Sequence, residues 1–439
     1  MGLRTPYLGP IARIAPGWVV CGDPEEIRRI WGVRSQFERA PWYKGIRFDP
    51  PHDSSLLMRG SSAHIILRSR LFPGYSGKDV DGLHESIDAG IARLIQLIEE
   101  KYISTDTDYR PVDFARKIQY MMLDIISDIA YGEAFGFMDC DEDLYDYVKS
   151  TEASFPMLQM FGLIPWLVQL MQSPLFRAFR PSERDTVGFG PIMAAVKRAV
   201  GERYGPKAVE KNDMLGSFVR HGLSQREAES ESLVQIIAGS DTTSTADRST
   251  LAHVVTNHQV YSRLQEEIDT AVADGRASSP VTDAEGKALP YLQACLNEGM
   301  RMWPPITGSI PRVSDCDDSL CGVHIPAGTH VAWSPKAVMR TEGVFGADYD
   351  VFRPDRWLLA DAQQLTAMQN TIDLCFGQGR WVCLGRPIAL IELNKVIVEL
   401  LRRFEFSIVN VEKPIQNAYY GVCLQSGLHM RITRREQST

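Results

Sequence analysis

Phe376-Gly-Gln-Gly-Arg-Trp-Val-Cys-Leu-Gly385 is the stretch of this 439-residue chain on which its reading turns. One cysteine, Cys383, stands among Phe376, Gly377, Gly379 and Gly385, and Pro387 follows at a helix start. A buried cysteine that holds iron must stay a thiolate, so it needs backbone donors aimed at sulfur and a chain able to pass close to a flat macrocycle. Glycine permits both. A helix N-terminus beside the sulfur adds partial positive charge. Beyond Pro387, Ala389, Leu393, Val396 and Leu400 recur as an apolar stripe, and Glu392, Lys395 and Glu399 are expected on the opposite, polar face. The order suits a thiolate-bound haem iron and hence oxygen chemistry. Taken alone, the motif also fits a structural cysteine in a Gly-rich turn.

Three motifs upstream narrow the choice. Glu298-Gly-Met-Arg301 lies in a helix expected from Pro290 to the Pro304-Pro305 pair, and a spacing of three puts both charges on one face. On an ordinary surface such a pair contributes only about 0.3–0.5 kcal/mol. Phe352-Arg-Pro-Asp-Arg356-Trp357 frames an arginine with proline and aromatics in a segment too irregular for a helix. Ala238-Gly-Ser-Asp241-Thr242-Thr243 falls inside a helix expected from about Gln225 to about His258. Its glycine costs about 1 kcal/mol there, a local fault that marks close approach to a ligand.

All four motifs occur in the order, and at about the spacing, of the cytochrome P450 family, which the chain resembles from its first strand to its last residues. The resemblance implies a mainly α fold with small β-sheets, a single haem-thiolate domain over residues 1–439, and haem b (iron protoporphyrin IX) between the helix of Asp241-Thr242 and the one after Cys383. Residue by residue, Cys383 matches the axial metal ligand. Thr242 matches the hydroxyl that steadies the protonation of dioxygen, Asp241 the acid that relays protons, and Gly239 the low point in the helix wall. Glu298, Arg301 and Arg356 match a structural ion-pair network, with Arg356 tying the cysteine loop to the helix. Phe376 and Gly385 belong to the cofactor-binding loop. Gly-Ser-Ser-Ala-His64-Ile-Ile-Leu-Arg68 resembles the propionate-binding helix, where His64 and Arg68 share one face, and Arg312 matches a second propionate contact. The departure is Trp381, which stands where the family carries an arginine. Arg380 is displaced by one position, so it faces either the cofactor or a redox partner.

Composition agrees. A 44% apolar fraction without an obvious linker, repeat or low-complexity tract fits one large core, and a formal charge of −8 argues against nucleic acid. The eight cysteines show neither zinc-ligand spacing nor a disulfide framework, which points to a reducing compartment. No transmembrane anchor is expected; the chain is placed in the cytoplasm or on the cytoplasmic face of the endoplasmic reticulum. The uncharged run Ser154–Phe176 is interrupted by Pro156, Pro165 and Pro174 and carries Gln159, Gln169 and Gln172, so it is expected as an apolar lid, able to rest on a membrane surface, rather than a span.

By resemblance, pocket walls come from residues 41–58, the lid, the helix around Ile236 to Asp241, residues 306–310 and residues 422–426. Their apolar character implies a hydrophobic small-molecule substrate. Ala40-Pro-Trp-Tyr-Lys, Leu71-Phe-Pro-Gly-Tyr-Ser-Gly-Lys78 and Tyr131-Gly-Glu-Ala-Phe-Gly136 resemble filamentous-fungal members related to pisatin demethylase, which implies tailoring of secondary metabolites. The expected activity is a monooxygenase that uses dioxygen and a separate NADPH-dependent reductase. Desaturation, ring closure, coupling or rearrangement on the same fold, and a haem-binding protein without turnover, are the alternatives. Arg380, Arg386 and Lys395 are read either as a docking face for the reductase or as a solvated surface.

Overall fold

The computed structural model describes residues 9–47, 53–173, 181–308 and 310–435. Near the N-terminus, Asp23 caps the helix Pro24–Trp31 (α1), its carboxylate accepting from the Glu26 amide at 2.9 Å. Around it lies a five-stranded sheet of Ile11–Ala15 (β1), Trp18–Cys21 (β2), Glu38–Arg39 (β3), Arg312–Val313 (β4) and His330–Trp333 (β5), in the order β1-β2-β5-β4-β3. Only β2 and β5 run parallel. The register of β3 on β4 sets Arg39 directly opposite Arg312.

Helices make up most of the remainder. Those that build the site are Ser61–Tyr75 (α2), Leu83–Leu97 (α3), Phe114–Tyr131 (α4), Tyr147–Leu163 (α5), Gln225–Val255 (α6), Pro290–Met302 (α7), Asp355–Leu359 (α8) and Arg386–Leu401 (α9). The long helix α6 packs against α4, α7 and α9 at the centre of the molecule. It ends three residues before His258, because the Asn257 side chain caps a new helix, His258–Ala273. Two buried hydroxyls of α6 turn back on their own helix, Ser240 to the Ile236 carbonyl and Thr250 to the Ala246 carbonyl, both at 2.9 Å, while Ser249 donates across to the Gly299 carbonyl of α7 at 2.6 Å. Gly299 brings α7 into contact with α6: a Cβ there would lie 2.2 Å from Thr250 Oγ1 and 2.8 Å from its Cα.

Three expectations need correction. Helix α9 has no polar face towards solvent, since Glu392, Lys395 and Glu399 are all buried. Lys395 pairs with Asp88 of α3 at 2.6 Å, and Glu399 accepts from Arg402 at 2.9 Å, from Arg403, and from the Val281 amide at 2.8 Å. Periodicity marks where charges recur; it does not separate a solvated face from one with tertiary partners. Arg356, expected in irregular chain, sits on the one-turn helix α8. Pro156 does not interrupt the lid: α5 runs through it and forgoes one backbone hydrogen bond. Pro165 opens the next helix, Pro165–Met171, whereas Pro174 and Phe176 lie outside the described residues. No described helix is long and apolar enough to cross a membrane.

Candidate active site

The cysteine loop is shaped by two glycines in the left-handed region, Gly377 at φ +78° and Gly379 at φ +60°. A Cβ on Gly379 would lie 2.8 Å from the Trp31 carbonyl oxygen and the Val33 amide, so the loop fits against α1 only with glycine there. The turn is closed by the Cys383 amide donating to the Phe376 carbonyl at 2.6 Å. Expected as buried, Cys383 is enclosed by protein yet open on its cavity side. Burial pushes its thiol up, while the amides of Gly385 and Arg386 at the start of α9 and the guanidinium groups of Arg68 and Arg386 pull it down.

That cavity measures about 410 Å³, and its wall is overwhelmingly apolar. Phe376, Cys383 and Gly385 from the loop, Ala238, Gly239 and Thr242 from α6, and Phe155 and Leu158 from α5 all line it. Thr242 faces the cavity with its hydroxyl donating to the Ala238 carbonyl at 2.9 Å. Asp241 is buried and accepts from Gln119 Nε2 of α4. Burial pushes its carboxyl up to about 6, against the pull of Arg248. Gly239 has a packing role besides its place in the wall: a Cβ there would sit 3.1 Å from Ile126 of α4.

At the rim of the same cavity, positive charge accumulates without an acidic partner among the described residues. Arg39, His64, Arg68 and Arg312 all line it. Arg39 and Arg312 are buried, and the Nε of each, like Nδ1 of His64, has no hydrogen-bond partner. Burial and the neighbouring arginines push His64 down to about 3, and burial, then Arg312 and Arg68, push Arg39 down to about 9. Cations facing one another across paired strands repel, and orphaned buried donors are costly. Both faults are relieved by an anionic ligand, so this rim fits the two carboxylates of a haem. The sequence reading missed Arg39, which belongs to a two-residue strand and carries no motif.

A model of the cytochrome P450 family matches residues 4–430. The chain belongs to the cytochrome P450 family. It is 41% identical over 429 residues to "Cytochrome P450 monooxygenase ABA1" of Pyricularia oryzae, covering 96% of this chain and 84% of that relative. It is 37% identical over 432 residues to "Cytochrome P450 monooxygenase aba1" of Botryotinia fuckeliana, covering 98% and 85%. The haem domain of cytochrome P450DA superposes with a TM-score of 0.77 at 18% identity, over 95% of this chain and 88% of that one. This P450 is therefore an oxidoreductase with haem b as cofactor, a small-molecule substrate, dioxygen and a reductase as redox partner.

Trp381 has become part of the rim of this P450. Its ring lies 4.3 Å from that of His64 and faces the guanidinium carbons of Arg39 and Arg312 at 4.2 and 5.2 Å. Arg68 reaches the loop, donating to the Val382 carbonyl at 2.6 Å. Arg380 does not line the cavity, a correction to its expected cofactor contact. It turns back to the Ser35 and Phe37 carbonyls at 2.8 and 3.3 Å, while Trp381, next to it in the turn Gly379–Trp381, takes the place at the rim. Lys395 is buried, so the expected basic docking face is reduced to the half-buried Arg380 and to Arg386, itself paired with Asp373 at 2.6 Å.

Glu298 and Arg301 form the expected pair, bidentate at 2.7 and 2.8 Å, and Arg356 joins at 3.0 Å. Trp357 adds an indole donor to Glu298 at 2.9 Å, a contact the sequence reading missed. Arg356 also bonds the Phe345, Asp348 and Val351 carbonyls. Its recorded bonds thus tie α7 to residues 345–351 instead of directly to the cysteine loop, which corrects that part of its expected role.

Proposed function

We propose that the Cys383 thiolate would hold the haem iron of this P450, that His64, Arg68, Arg312 and Arg39 would hold the haem carboxylates, and that the enzyme inserts one oxygen atom into an apolar small molecule. The observation that carries this reading is the joining of Cys383, flanked by two amides at the start of α9, and an unneutralised cationic rim in one cavity. Bound haem b supplies the redox centre at which dioxygen is activated. The protein's own contribution is positioning. The Gly385 and Arg386 amides favour the sulfur anion, the rim neutralises carboxylate charge, and the apolar wall excludes water. The Thr242 hydroxyl and the Asp241 carboxyl hold exchangeable protons beside the cavity, the latter pushed up to about 6 by burial. Glu298, Arg301 and Arg356 have a structural task.

Apolar walls from Leu57, Ile237, Ile306, Ile310 and Val422 support a hydrophobic substrate, and the two fungal monooxygenases similar over nearly the whole chain support tailoring of a fungal secondary metabolite. An NADPH-dependent reductase supplies electrons. Met157, Met160, Leu163 and Leu170, exposed by 54, 47, 57 and 40%, support peripheral contact of the lid with a membrane, in keeping with a place in the cytoplasm or on the cytoplasmic face of the endoplasmic reticulum. Residues 1–439 are proposed as one haem-thiolate domain. The carbon-monoxide difference spectrum of the reduced holoenzyme tests ligation: a thiolate-type Soret maximum is expected, absent in Cys383→Ala. An unchanged spectrum in that variant overturns the assignment. Oxygen-18 from labelled dioxygen is expected in the product, and its absence counts against insertion.

A further inference from the structure

A line of polar contacts runs from Asp241 to the lid. Gln119 of α4 donates through Nε2 to Asp241 Oδ1, and its Oε1 accepts from Arg116 Nη1 at 3.2 Å. One helical turn from Gln119, Arg116 is bound in bidentate fashion by Glu152 of α5, at 2.7 and 2.8 Å. Glu152 stands next to Thr151, and Thr151 and Phe155 line the cavity. The same stretch of α5 therefore meets the substrate space with one side and anchors the acid's hydrogen-bond chain with the other. Thr242, meanwhile, is engaged with the Ala238 carbonyl. Both groups of the α6 motif are held by protein in this arrangement.

We propose that Gln119 is the positioning residue of Asp241 and that Arg116 and Glu152 extend its hold to α5, forming a latch that releases the acid when the lid moves. The inference rests on the reading of Asp241 as a proton-relaying acid and names what governs it. Bidentate guanidinium–carboxylate geometry makes the outer link directional, and an amide that donates inward while accepting outward transmits its position. A guanidinium and an amide do not themselves carry the proton; they fix where the carboxyl points. By linkage, whatever displaces α5 alters the hold on Asp241, and breaking the hold loosens α5. The charged and titratable groups facing Asp241 are Arg248 on α6, Arg116 on α4, and Glu152 and Tyr147 on α5.

The test is infrared titration of the ferric holoenzyme, with the Asp241 band identified by its loss in Asp241→Asn. Gln119→Leu removes a donor to the carboxylate, so the midpoint is expected to rise by about one pH unit, a tenfold change. Glu152→Gln removes a negative charge, so the midpoint is expected to fall. Hydrogen exchange over residues 147–163 is expected to quicken about threefold in Gln119→Leu. An unmoved midpoint in Gln119→Leu overturns the latch, and a moved midpoint with unchanged exchange in α5 overturns its extension to the lid. If Gln119→Leu does not take up haem, Glu152→Gln, at a side chain 24% exposed, decides the matter: no shift and no change in exchange reject the proposal. Peroxide released per NADPH in Asp241→Asn separately tests the acid role. An unchanged value there removes that role while the titration still measures the latch.

Discussion

Arg39 and Arg312 are direct cross-strand partners on β3 and β4, and no carboxylate pairs with either among the described residues. Trp381 lies against both guanidinium groups and keeps their charge in place without neutralising it. Arg39→Ala is expected to weaken haem binding by about 2–3 kcal/mol, roughly 30–150-fold, through loss of a desolvated cation and its hydrogen bonds to the ligand. Haem transfer from holoenzyme to apomyoglobin measures this. An unchanged transfer rate would take Arg39 out of the cofactor site.

Removing Arg356 takes one of two guanidinium partners from Glu298, which keeps Arg301, the Trp357 indole and the Arg353 amide, inside a site where both side chains are almost fully enclosed. Arg356→Ala is expected to cost about 3–5 kcal/mol and to deplete haem-loaded protein. Urea unfolding followed by tryptophan fluorescence gives the number, and a loss below about 1 kcal/mol would contradict a structural task for the network.

Asp247 and Glu392 introduce a pH dependence. Burial, in the first place, pushes each carboxyl up to about 8; Arg248 draws Asp247 partly back, Asp247 raises Glu392 further, and Thr243 lowers it. Because the folded values lie above the unfolded ones, the native chain holds more protons between about pH 4 and about pH 8. Stability contributed by these groups is therefore lost as pH rises through that window and is fully present below it. Asp247→Asn is expected to narrow the difference in Tm between about pH 5 and about pH 9. A difference as large as in the unaltered protein would show that Asp247 does not titrate there.

Thr242→Ala keeps the helix but removes the cavity-facing hydroxyl. With the substrate identified by product analysis, the variant is expected to divert electrons from product to peroxide, raising peroxide per NADPH by about tenfold or more. Thr242→Ser is expected to restore most of the coupling. Tight coupling in the alanine variant would remove Thr242 from proton handling.

The parts legible in the sequence were those whose chemistry is local. Cys383 with its glycines, the Glu298–Arg301 spacing and the glycine within α6 each state a geometric need inside a few residues. What escaped depends on distant chain. Arg39 owes its place to strand pairing with β4, Trp357 to the approach of α8 to α7, and Gln119 to the packing of α4 on α6. The inward charges of α9 were misplaced for a related reason: their partners Asp88 and Val281 come from elsewhere in the chain, and spacing alone assigns polar positions to water.

The enclosure of α9 bears on electron delivery. From Ile391 to Leu401 every residue of this helix is buried, so that length offers a reductase no flank to grip, and the open surface lies at its first turn and on the loop that precedes it. There Arg386, the first residue of α9, and Asp373 before the cysteine loop stay partly open, at 35% and 46%, as a pair of opposite charges. A donor protein that approaches by this surface meets charges of both signs instead of a uniformly basic face.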